Sequence, residues 1–208
     1  MEREIRQLRS ATEKFTTRED DGGAMHISGY FAVFDSDYNI APGLSESIAK
    51  GAFTSSMDRD VRALINHDDT LVIGRTTAGT LELRQDDHGL WGDILINPKD
   101  SDATNAYARV ERGDVSQCSF GFNILAEETD YRSDGSIHWT ITDIELFEVS
   151  VCTFPAYEET GVKAREKQAE EIKQRRLDAW KIQMRSRLKG EEENVESTED
   201  EEAARGEA

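Results

Sequence analysis

The 208-residue chain is long enough to bury a core as one domain with tails, and its net charge of −18 argues against nucleic acid, whose phosphates need clustered Lys and Arg. It contains no apolar run of about 18 residues, so no helix is expected to span a membrane. The charged start Met1-Glu2-Arg3-Glu4-Ile5-Arg6 lacks the apolar core of a secretion signal.

In chain order, residues 5 to 160 read as strand-rich. Gly29-Tyr30-Phe31-Ala32-Val33-Phe34 is a compact apolar run after the turn-like Asp20-Asp21-Gly22-Gly23, which predicts a strand. Val61 to His67 predicts another. Thr80 to Arg84 and Leu90 to Ile96, joined by Asp86-Asp87-His88-Gly89, read as a hairpin. A helix follows, capped by Ser101 or Asp102. Ala103, Ala106, Tyr107 and Val110 recur on one face, and Gly113 ends it. Val115 to Leu125 predicts a strand. After the turn Arg132-Ser133-Asp134-Gly135, a further strand runs from Ile137 to Phe154, closed by Pro155. From Glu158 to Leu188 the pattern is helical and charged, with scattered apolar positions instead of a stripe, which suits packing on the domain, a twin subunit or a larger assembly. Glu191 to Ala208 is acidic, with Val195 its only large aliphatic, and reads as disordered.

Alternation along the Val115 strand places Cys118, Phe120 and Phe122 on an apolar face and Gln117, Ser119 and Gly121 on the other. Ser119 is therefore expected to point away from the core, toward a surface or cleft. His67 stands at the end of an apolar strand and is a candidate base, since imidazole titrates near neutral pH. In Ile144-Glu145-Leu146-Phe147-Glu148, alternation places Glu148 with Ile144, Leu146 and Cys152. A carboxylate there needs a partner, an Arg in an ion pair or His67. Cys118 and Cys152 have neither metal-ligand spacing nor a disulfide framework, which fits a reducing cytoplasm and small buried hydrophobes. Cys118 is a rival nucleophile, though on the apolar face.

Other patterns fail. Asp35, Asp37, Asn39 and Glu46 have calcium-loop spacing, but Ile40 stands where a glycine is needed and the flank reads as strand. Nothing fixes a metal geometry for His67, Asp68, Asp69 and Asp93. His26, His88 and His138 read as turn or surface residues. No metal or cofactor is expected.

Five blocks in order resemble the prohead (procapsid maturation) serine proteases of tailed bacteriophages of the HK97 type. They are Gly29 to Asp35, Ile48-Ala49-Lys50-Gly51-Ala52-Phe53, Asn66-His67-Asp68 with Ile73-Gly74-Arg75, Gly113 to Phe122, and Glu148 to Ala156. The resemblance implies an α+β fold that is mainly β, like the herpesvirus assembly proteases: a β-barrel-like core with surrounding helices and a C-terminal helix. With the composition of the rest, it divides the chain into a protease domain (1–160), which the blocks cover, a charged helix (161–190) and the acidic tail (191–208), which aligns with none of them. It implies Ser119 as nucleophile, His67 as base and Glu148 as third member, with His138 the fallback because the herpesvirus relatives use a second histidine. A backbone amide near Gly121 or Gly74-Arg75 would serve the oxyanion. The implied substrates are the phage capsid protein, at its scaffold-like N-terminal segment, and the chain itself. The implied place is the host cytoplasm, inside the assembling prohead, with a homo-oligomer as one form. A non-enzymatic assembly or scaffolding protein is the alternative.

Overall fold

The computed structural model describes residues 7–11, 15–154 and 159–206, and of the side chains those of 7–9, 15–154, 163 and 165–187. The strands are β1 (Gln7–Ala11), β2 (Thr16–Glu19), β3 (Met25–Val33), β4 (Tyr38–Ala41), β5 (Leu44–Ile48), β6 (Arg62–Ile65), β7 (Asp68–Arg75), β8 (Leu81–Gln85) and β9 (Gly89–Leu95). Helix α1 (Ser101–Arg112) then precedes two long strands, β10 (Gln117–Tyr131) and β11 (Ile137–Cys152), and helix α2 (Glu159–Gly206). The architecture is mainly β with two helices, as the sequence predicts.

The longest ladder joins β10 and β11, an antiparallel pair that forms the spine of a seven-stranded sheet ordered β1-β10-β11-β5-β4. β11 is long enough to carry two parallel neighbours on its free edge. β5 pairs with its first part, Ile137 to Ile141, and β6 with its last, Glu148 to Val151. β7 pairs in turn with β6. The second sheet runs β2-β3-β9-β8. Both orders have open ends, so no closed barrel forms among the described residues. The expected β-barrel-like core is corrected to two sheets sharing one core, in which Ile27, Phe31, Leu90 and Ile94 from the second sheet join Phe120, Phe122, Leu146 and Val149 from the first.

Helix α1 starts one residue earlier than predicted. Asp100 is its cap, and its Oδ1 accepts from the amides of Asp102 (2.9 Å) and Ala103 (3.2 Å). Gly113 ends it at φ 86°, where a side chain would be strained. Ala103, Ala106, Tyr107 and Val110 are buried, as the spacing requires. The chain divides into two compact units, Met1–Lys163 and Ala164–Ala208. α2 begins where the charged helix is predicted and runs on, rich in the helix formers Glu and Ala, past residue 190 into the segment that composition reads as disordered. Leu177, Trp180, Ile182 and Met184 are exposed on it. Pro155, read as closing the domain, and the side chains of 191–208 lie outside the described residues.

Candidate active site

The strand predicted to end at His67 stops at Ile65, and Asn66-His67 form a two-residue turn into β7. Ile65 pairs with Asp68 across it, and Asn66 and His67 both have positive φ (51° and 61°), the signature of a type I′ hairpin. Asn-Gly is the usual choice there, because an L side chain at positive φ is strained by about 1 kcal/mol. The turn is tied to the end of β11. Asn66 donates its amide to the Val151 carbonyl (3.0 Å), and its Oδ1 accepts from the Thr153 amide (2.9 Å). The His67 amide donates to Ser150 Oγ (3.2 Å).

Glu148 reaches His67 through a break in the β11 pattern. The ladder pairs Phe122 with Leu146 but Gly121 with Glu148, so Phe147 is an extra residue, a β-bulge. Because side chains alternate with period 2, one extra residue reverses the phase. Ile144 and Leu146 face the core before the bulge, and Val149 and Val151 after it. Glu148 is therefore not on the face of Ile144 and Leu146, which corrects the sequence reading. It shares the opposite face with Ser150 and Cys152, whose partners on β10 are Ser119 and Gln117. There its Oε1 lies 2.7 Å from His67 Nδ1, and its Oε2 accepts from Ser150 Oγ (2.6 Å). Glu148 is 2% exposed, so the two bonds stabilise a carboxylate that water does not reach. A carboxylate only accepts, so the proton sits on Nδ1 and Nε2 presents its lone pair.

The Nε2 atom faces Cys152 Sγ at 3.7 Å. Burial, and then the charge of Glu148, push the Cys152 thiol up to about 12. It stays protonated at neutral pH and is a weak donor to the imidazole.

Ser119 lies on the same face as Glu148, Ser150 and Cys152, opposite Phe120 and Cys118, as alternation predicts. It does not open to solvent, however: it is fully buried, and its Oγ donates to the Arg9 carbonyl of β1 at 2.7 Å. β1 lies along the free edge of β10, with Ser10 paired to Ser119. The Arg9 side chain makes a buried ion pair with Glu46 of β5. Among the described residues no hydrogen bond joins His67 to Ser119. The structure thus brings His67 and Glu148 into contact and sets Ser119 on the adjacent strand of the same face, with its hydroxyl engaged elsewhere.

The other candidates sit apart. His138 is buried in β11, not at the surface, between Ser45 Oγ (2.8 Å) and Ser47 Oγ (2.9 Å), ten positions along the strand from Glu148. Cys118 faces the core and donates to the Tyr30 carbonyl at 3.0 Å. The Arg75 amide donates to Thr80 Oγ1, and its side chain pairs with Asp60, which removes Arg75 N–H as an oxyanion donor. Asp68 accepts from the hydroxyl and then the amide of Thr70, which hold its carboxyl below the usual range. Asp93 pairs with Arg18 and His26 in the other sheet. Glu46, of the calcium-like spacing, is taken by Arg9. No metal-binding group occurs among the described residues. A cleft of about 330 Å³ opens beside the turn, lined by Ile65, Asn66, Ala106, Arg109, Val151 and Thr153 among others. Sequence reasoning overlooked Ser150. Its place two residues from Glu148 was a signal only once the phase of the strand was known.

The family model for caudovirus prohead serine proteases matches residues 13–175. The prohead protease of Enterobacteria phage HK97 is 32% identical over 158 residues, which is 73% of this chain and 63% of that protein. The chain thus spans less than two thirds of the length of this relative. No solved structure matches.

Proposed function

Because the chain belongs to the caudovirus prohead serine protease family, we propose that it is a serine endopeptidase that trims the scaffold-like N-terminal segment of the phage capsid protein, and itself, inside the assembling prohead in the host cytoplasm. In this reading residues 1–160 form the protease domain, related in fold to the herpesvirus assembly proteases, and 161–190 and 191–208 are a charged helix and an acidic tail. The reading is carried by one observation: a strained turn holds the His67 imidazole on a buried carboxylate, beside the strand that bears Ser119. Ser119 Oγ leaves the Arg9 carbonyl and attacks the scissile amide. His67 Nε2 takes its proton and returns it to the leaving amine, while Glu148 holds the tautomer and stabilises the imidazolium. Water then repeats the sequence on the acyl-enzyme.

A second reading follows from the 3.7 Å between His67 Nε2 and Cys152 Sγ: a thiol hydrolase using Cys152. The raised thiol pKa weighs against it, because the thiolate is the nucleophile. Co-expression with the capsid protein separates the readings. Ser119→Ala is expected to abolish trimming, a loss of roughly a million-fold in rate, and Cys152→Ala to spare it. The thiol reading predicts the reverse. Trimming that survives both changes overturns both nucleophile assignments, and a capsid protein left intact by the wild type leaves the scaffolding role.

A further inference from the structure

Ser150 has no part in the chemistry just described, yet it touches two of its members. Its hydroxyl donates to Glu148 Oε2 (2.6 Å) and accepts the amide of His67 (3.2 Å), and the residue is fully buried. We propose that Ser150 is the positioning residue of this site: one hydroxyl fixes both the rotation of the Glu148 carboxylate and the turn that carries the imidazole. The inference rests on the assignment of His67 and Glu148 above.

The geometry gives the reason. The terminal bond of a glutamate is a soft torsion, and the Ser150 bond to Oε2 restricts it. With Oε2 held by Ser150, Oε1 stays on Nδ1, so the proton stays on Nδ1 and Nε2 keeps its lone pair. The second bond, from the His67 amide, helps hold a backbone that costs free energy to keep at φ 61°. A hydroxyl suits the task because it donates to the carboxylate and accepts from the amide at once. Alanine does neither, and threonine retains both.

The test is made on the full chain with ¹⁵N-labelled histidine, where ring nitrogen shifts report which atom holds the proton. The chain has four histidines, and His67→Gln identifies the signal. Wild type is expected to show the Nδ1–H form. Ser150→Ala should shift His67 toward Nε2–H and lower kcat for capsid trimming by roughly 10- to 100-fold with KM unchanged, and Ser150→Thr should restore both. If threonine is not accommodated, the double variant Ser150→Ala/Glu148→Gln decides: acting through Glu148, Ser150→Ala adds no further loss to Glu148→Gln. A wild-type ring pattern in Ser150→Ala, or full additivity in the double variant, overturns the proposal. The ring signals are read without substrate, so they stand whether or not Ser119 proves to be the nucleophile.

Discussion

At the scale of single residues, the His67 imidazole and the Glu148 carboxylate meet at 2.7 Å, Nδ1 to Oε1. In the sequence, the cost of an unpaired carboxylate showed that Glu148 needs a partner, but Arg and His67 served equally well. What decides is the bulge at Phe147 and the turn at Asn66-His67, and both depend on pairing with other strands. Glu148→Gln is expected to lower trimming roughly ten-thousand-fold, since a neutral amide no longer dictates the tautomer. The His138 ring bonds Ser45 and Ser47 and lies 3.9 Å from Asp37, and His138→Ala should leave the rate within a few-fold and lower stability instead. Trimming assays and thermal melts of both variants check this. Cys152 predicts an alkaline effect. Its folded pKa is raised above the ordinary thiol value, so the folded state binds the proton more tightly. The associated stability is complete at neutral pH and is lost as pH rises from the ordinary value near 9 toward about 12. Stability should fall by about 1.4 kcal/mol per pH unit over that window. Urea melts of Cys152→Ala should show a flatter decline.

At the scale of elements, legibility followed apolar patterning. β3, β8, β9, β10 and β11 carry alternation or compact apolar runs and stand where the sequence places them. β1, β2, β4 and β5, with sequences such as QLRSA and LSESI, carry no such signal and form because longer strands offer them an edge. The phase reversal in β11 was equally hidden, since periodicity presumes an unbroken register. β1 matters most, because its Arg9 carbonyl holds the Ser119 hydroxyl. Glu46→Gln leaves the Arg9 guanidinium buried without its countercharge, which typically costs 3–5 kcal/mol. The variant is expected to melt earlier and, with β1 loosened, to react faster at Ser119 with a serine-directed fluorophosphonate, measured as labelling rate by mass spectrometry. The His67 turn gives a complementary prediction. In the Glu148→Gln background, where His67 no longer meets a charge, His67→Gly relieves the positive φ and should raise Tm by about 2–4 °C.

At the scale of the whole molecule, two open sheets enclose one core, and the candidate site lies on the face of the larger sheet turned away from that core. The sequence conveyed the mainly β class and the order of the blocks. It did not convey closure, because whether a sheet meets its own edge depends on pairings among strands far apart in the chain. The net charge of −18 acts on the molecule as a unit. Self-repulsion opposes compaction and is screened by salt, so Tm should rise between about 0.01 M and 1 M NaCl, where the screening length falls from roughly 30 to 3 Å. A flat or falling Tm across that range counts against it. The bond from Ser119 to Arg9 has a further consequence, one of timing. In the proposed role of nucleophile, Ser119 has a hydroxyl already committed to the Arg9 carbonyl, and attack requires that bond to open. Each 1.4 kcal/mol needed to open it lengthens the wait about tenfold. A neutral hydrogen bond is worth about 0.5–1.5 kcal/mol net, so the engaged hydroxyl slows the proposed attack by up to roughly tenfold.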